Sequence, residues 1–191
     1  MAKRNLLAVV ATAAVALFSA DSALGVEPNQ IRIVVHVTDN WLLQPAVLAS
    51  VEADVAAIYD RIGVDVVWAT PDCSENDAHN FAVLILSPEM GLKMIATDRV
   101  GPNVMGLALR AAKRAYIFTH RVHAVSASEL FDFPKLLGQV IAHEIGHLLL
   151  TNGHSAFGIM QPAMQLLTNR AEWFTPAQGA RIRAELAGAT N

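Results

Sequence analysis

The sequence predicts an α/β (α+β) fold: a twisted mixed sheet with a crossover helix, a long helix carrying His143-Glu144-Ile145-Gly146-His147, and a C-terminal helix. Three observations predict it. Ile31, Ile33, Val35 and Val37 alternate with their neighbours, the period-2 pattern of a strand. Leu48, Val51, Val55, Ile58 and Ile62 then recur at helical spacing ahead of a second apolar stretch, so the first two strands should be joined by a crossover helix and pair in parallel. Finally, the segment from Pro134 to Leu150 stays apolar over several turns, too long for one strand.

Each element has its own signals. Pro45 suits the first position of the crossover helix and Gly63 the stop that follows it. Residues 64–69, "VDVVWA", read as a short strand, and residues 70–80, "TPDCSENDAHN", as a polar loop. Residues 81–87, "FAVLILS", are apolar throughout and predict a central strand covered on both faces. Gly101-Pro102 marks a turn before a short apolar piece from Val104 to Leu109, and residues 115–122, "AYIFTHRV", read as a further strand. The histidine-bearing helix starts either at Ser128, with a break at Phe133-Pro134, or at Pro134 itself. Asn152-Gly153 predicts left-handed backbone that stops it. In the last helix Thr175 is the N-cap, Pro176 occupies the first position, and Ile182 and Leu186 share a face.

The organisation is a leader followed by one domain. Residues 1–25 carry Lys3 and Arg4, an uncharged apolar run from Leu6 to Phe18, and Ala23-Leu24-Gly25. This is the pattern of a secretory signal peptide, and the run falls short of the ~20 residues a spanning helix needs. The domain is expected at residues 26–191, exported to a secreted or periplasmic location, with no membrane span left after cleavage and as a monomer. A formal charge of −3 with no basic stripe argues against a nucleic-acid partner. Cys73 is the only cysteine, so the fold rests on its core or on a metal, and the thiol reads as structural.

The chemistry lies between His143 and Pro162. On a helix, residues four apart stand one above the other, so His143 and His147 can reach one ion at the ~2.0–2.1 Å that zinc prefers. Glu144 sits roughly 100° round the helix, placed to hold a water beside the ion. Zinc lowers the pKa of a bound water towards ~7, and Glu144 can take that water's proton as general base and return it to a leaving amine as general acid. Ile141, Ile145 and Leu148 point the other way, into a core, while Gly146 clears space for something to pack closely. The third ligand is His154, brought back by the Asn152-Gly153 turn, or Glu172 from the segment "NRAEWF".

Residues 143–162 resemble the metzincin zinc metallopeptidases, which carry H-E-x-x-H-x-x-G-x-x-H followed by a Met-turn. The phrase "HEIGH", then "HS", then "IMQP" is similar to the matrixin-like branch. The resemblance implies a zincin-like fold, His143, His147 and His154 as zinc ligands, Glu144 as catalytic base, and Met160 as the Met-turn residue. It implies an exported, zinc-dependent endopeptidase acting on peptides or proteins. Two departures stand out: position 150 is Leu where the family has Gly, and His154 comes one residue later than the family spacing. No tyrosine follows the Met-turn within the similar segment, and no propeptide is expected between leader and domain. Met105 to Ala108 becomes a candidate substrate-binding edge strand. Met164, Leu166 and Leu167 become candidates for the wall of an apolar pocket.

Other readings are a zinc-holding protein without turnover, a thermolysin-like peptidase using Glu172, and an rRNA-maturation endoribonuclease, against which the leader, the acidic balance and Glu144 all speak. His120 and His123 could touch substrate or simply pack. The sequence gives His36 and His79 no role, and Asp72, Glu75 and Asp77 could bind calcium or form a solvated loop.

Overall fold

A computed structural model describes residues 31–69, 79–129, 131–151, 153–162 and 172–188. The leader, Cys73 with Asp72, Glu75 and Asp77, Asn152, and Met164, Leu166 and Leu167 lie outside the described residues.

Five strands form one sheet in the order β2-β1-β3-β5-β4. They are β1 (Ile31–Asp39), β2 (Val64–Trp68), β3 (Asn80–Ile85), β4 (Gly106–Leu109) and β5 (Arg114–Ile117). The crossover helix α1 (Pro45–Asp60) joins β1 to β2, which pair in parallel with Ile31 opposite Val64, as its position in the sequence requires. Gly63 has the expected left-handed backbone, φ +71°. β3 is the central strand and runs parallel to β1 and β5. Its covering differs from expectation: Phe81, Val83 and Ile85 are buried while Ala82 and Leu84 are half-buried, so one face is closed and the other only partly so. β4 is antiparallel to β5, lies at the edge, and ends in a 3₁₀ turn over Arg110–Ala112.

Two helices depart from the sequence reading. α2 (Pro88–Asp98) buries only Gly91, so it shows no apolar stripe; its start is fixed by Ser87, whose hydroxyl accepts from the Met90 N–H at 3.3 Å. α3 (Thr119–Glu129) begins where the strand 115–122 was expected to continue. The Phe118 carbonyl accepts from the N–H groups of Arg121 and Val122, turning the chain into a helix straight after β5.

The helix α4 (Phe133–Leu149) is the long apolar one, and it runs from Phe133 without a break. It packs on α1 and on the β4–β5 end of the sheet, and is buried on almost every side from Leu136 to Leu149. Ile141, Ile145 and Leu148 enter the core as expected. The buried Tyr59 hydroxyl donates to the Ala142 carbonyl at 3.0 Å, a bond contributing about 1 kcal/mol that ties α1 to the turn just before His143. α4 ends when Leu150 switches to extended backbone (φ −95°, ψ 128°). Gly153 is not left-handed; a glycine that is, Gly158 at φ +72°, lies further on, two residues before Met160. The helix therefore stops at Leu149, three residues before the expected Asn152-Gly153 pair, of which only Gly153 is among the described residues. The last helix is α5 (Pro176–Gly188), with Ile182 and Leu186 buried on its inner face.

Candidate metal centre

One turn of α4 separates His143 from His147, and their Nε2 atoms stand 2.9 Å apart. The loop after α4 brings His154 Nε2 to 3.2 Å from His147 Nε2. One ring nitrogen from each of the three lies within 4.8 Å of the others, a grouping able to hold a metal ion. Ligands at ~2.0–2.1 Å in a tetrahedron stand ~3.3 Å apart, close to the separations of His147 from His143 and from His154.

Protonation supports the same reading. His143 Nδ1 sits 2.6 Å from the Ile159 carbonyl, which can only accept, so Nδ1 carries the proton and Nε2 presents its lone pair. Burial lowers the His143 pKa, outweighing that carbonyl's opposite pull, and nearby His154 lowers it further. Burial, then His143 and His154, bring His147 down to about 4. Both rings are therefore neutral near pH 7, the form that binds metal.

Glu144 is 6% exposed, and burial pushes its carboxyl up to about 8. A divalent cation alongside would favour the charged form and oppose that shift. Its side chain lies against the backbone of β4: a Cβ at Gly106 would fall 2.5 Å from Glu144 Cγ and 2.6 Å from Cδ and Oε1. Beneath the histidines, Met160 is fully buried. A Cβ at Gly146 would lie 2.6 Å from its sulfur and 3.1 Å from Phe174 Cε1, so Gly146 is what admits the Met160 side chain to the back of α4. The opposite side opens into a cleft of about 560 Å³, lined by β4, the C-terminal half of α4, the loop through His154, and Gln161-Pro162.

The other sequence candidates lie elsewhere. Glu172 pairs with Lys135 at 2.8 Å, in the first turn of α4 and outside the histidine group. His120 packs against Gly91 of α2, and His123 lies between Trp41 and Phe133 with ring centroids 6.3 and 5.4 Å away. His36 sits on β1 opposite Ala82, and His79 immediately precedes β3.

No known family model matches this chain, and no curated protein sequence matches it either. Solved structures do. A zinc-dependent peptidase from Methanocorpusculum labreanum superposes with a TM-score of 0.53 at 15% identity, over 78% of this chain and 99% of the other. Archaemetzincin from Methanopyrus kandleri gives a TM-score of 0.53 at 13% identity, over 84% of this chain and 99% of the other. The fold is zincin-like.

Within this zincin-like fold several contributors escaped the sequence reading. The Ile159 carbonyl carries no side-chain signal, and Gly106, though inside the expected edge strand Met105 to Ala108, was not expected to seat the Glu144 side chain. Gln178 does: with Thr175 it makes the pattern T-x-x-Q of a capping box, and the structure forms both arms of it.

Proposed function

We propose that the chain is a zinc-dependent endopeptidase of metzincin type, exported by residues 1–25. His143, His147 and His154 hold the metal, Glu144 is the general base and acid, and Met160 is the Met-turn residue. The observation that carries the reading is the convergence of three imidazole nitrogens, beside a buried carboxylate, on the floor of a cleft bounded by an open strand edge. Held by these three histidines, a zinc ion would supply a Lewis acid for a carbonyl and make a water more acidic.

This chain's own residues do the rest. The exposed edge of β4 offers main-chain N–H and C=O groups to an extended peptide, aligning its backbone along the cleft. Gly106 sits at the start of that strand, level with Glu144, so a peptide paired there passes over the carboxylate. Glu144 accepts a proton from the attacking water and delivers it to the departing amine. A zinc-holding protein without turnover would have no use for a buried acid facing an open cleft.

Chelation is expected to abolish cleavage of a peptide library by the purified domain, and one equivalent of zinc to restore it, read by mass spectrometry of the products. Cuts that survive in metal-free protein would reject the mechanism. For the leader, N-terminal sequencing of the exported chain should begin near Val26; a product still starting at Met1 would make the first residues a retained anchor.

A further inference from the structure

His154 is the most weakly held of the three histidines. His143 and His147 are fixed by a buried helix, whereas His154 is exposed on a loop. Something must hold that loop where the ring nitrogen meets the other two. The described contacts lead to Gln178, a buried side chain in the first turn of α5. Its Nε2 donates to Ser155 Oγ at 2.6 Å and to the Phe157 carbonyl at 3.1 Å. Ser155 Oγ in turn donates to the Phe157 carbonyl at 2.6 Å, and the Ser155 N–H donates to the Met160 carbonyl at 2.8 Å. Gln178 Oε1 is occupied on its other side by the Thr175 N–H at 2.7 Å, which orients the amide so that its donor end faces the loop.

We propose that Gln178 is a positioning residue for the metal centre: through Ser155 and Phe157 it locks the loop that carries His154 into ligand geometry. The inference rests on His154 being a ligand. The two ends of the amide have separate tasks. The carbonyl end completes the cap of α5 with Thr175, and only the amino end reaches the loop. Partners that orient metal ligands from outside typically change affinity by about 10–100-fold when removed.

Gln178→Glu separates these tasks. Glutamate keeps an oxygen for the Thr175 N–H, and is itself a favoured residue at that capping position, but it cannot donate to Ser155 and faces the Phe157 carbonyl with a second acceptor. Zinc affinity is read by competition with a chromophoric chelator, and apo-protein stability by thermal melting. The expected result is zinc affinity weakened about tenfold or more with the apo midpoint close to that of the parent. Affinity within twofold of the parent would overturn the proposal and leave Gln178 as a helix cap only. If the glutamate variant does not fold, Gln178→Leu, which removes both loop bonds, is compared with Thr175→Ala, which weakens the same cap but leaves both loop bonds in place: weaker zinc binding in the first alone supports the proposal, and equal binding in the two overturns it. His154→Ala is the control. If that variant binds zinc as tightly as the parent, the ligand assignment fails and this inference falls with it; if it binds weakly while the Gln178 variants bind normally, only the role of Gln178 is lost.

Discussion

Glu144→Gln is expected to lower peptide hydrolysis by about 10²–10⁴-fold, the usual contribution of a positioned proton-transfer group. Glutamine has nearly the same shape and fills the same buried space beside Gly106, so the cleft should stay intact. What it lacks is a basic oxygen able to take a proton from water. Zinc content, measured by atomic absorption on the same preparation, should match the parent, because the three imidazoles are untouched. A variant that keeps parental turnover with full metal loading would show that the proton goes elsewhere, and the assignment of base to Glu144 would have to be given up.

Gly106→Ala should be nearly as damaging, although it alters no group with any chemistry of its own. The added methyl would sit 2.5–2.6 Å from the Glu144 side chain. β4 is pinned to β5, with Gly106 opposite Ile117, so the strand cannot easily back away. The carboxylate has to move instead. Displacements of about 1 Å at a reacting group can cost about 10²-fold in rate, and a loss of that order in kcat is expected. Zinc affinity, read by chelator competition, should remain within a few-fold of the parent because the three atoms nearest the new methyl all belong to Glu144, which is not among the proposed ligands. Parental kcat would mean that the carboxylate has room to spare and that β4 does not position it.

The parts of this protein that were legible in its sequence are those governed by local period. Strand β1 was legible from the alternation of Ile31, Ile33, Val35 and Val37, although the fold buries Val34 between them as well; α1 repeats at helical spacing, and two histidines four apart on a helix must share a face. The return of His154 was expected from a turn at Asn152-Gly153; the ring does come back to His147, but without left-handed backbone at Gly153. Helices α2 and α3 were not readable. α2 buries a single glycine and so leaves no apolar stripe, and Phe118-Thr119 looks like the continuation of a β-rich run when it is in fact the first turn of a helix. The Ser87 cap followed by Pro88 was the signal available for α2. The helix stop was placed a few residues late: Leu150 already turns to extended backbone, a change that no turn-forming residue at that position announces. The bonds from Gln178 to Ser155 and from Ile159 to His143 join segments that only the tertiary fold brings together, so no local pattern announces them.

The seat of Met160 also bears on chemical durability. Its sulfur is enclosed, at 0% exposure, whereas the Met90 side chain is 43% exposed on α2, so peroxide should convert Met90 to the sulfoxide first. An oxygen added to the Met160 sulfur would have no space on the side where Gly146 already stands at closest approach. Sulfoxide at Met160 would therefore form only in molecules that have come apart around α4, making it a chemical record of damage to the centre and not its cause.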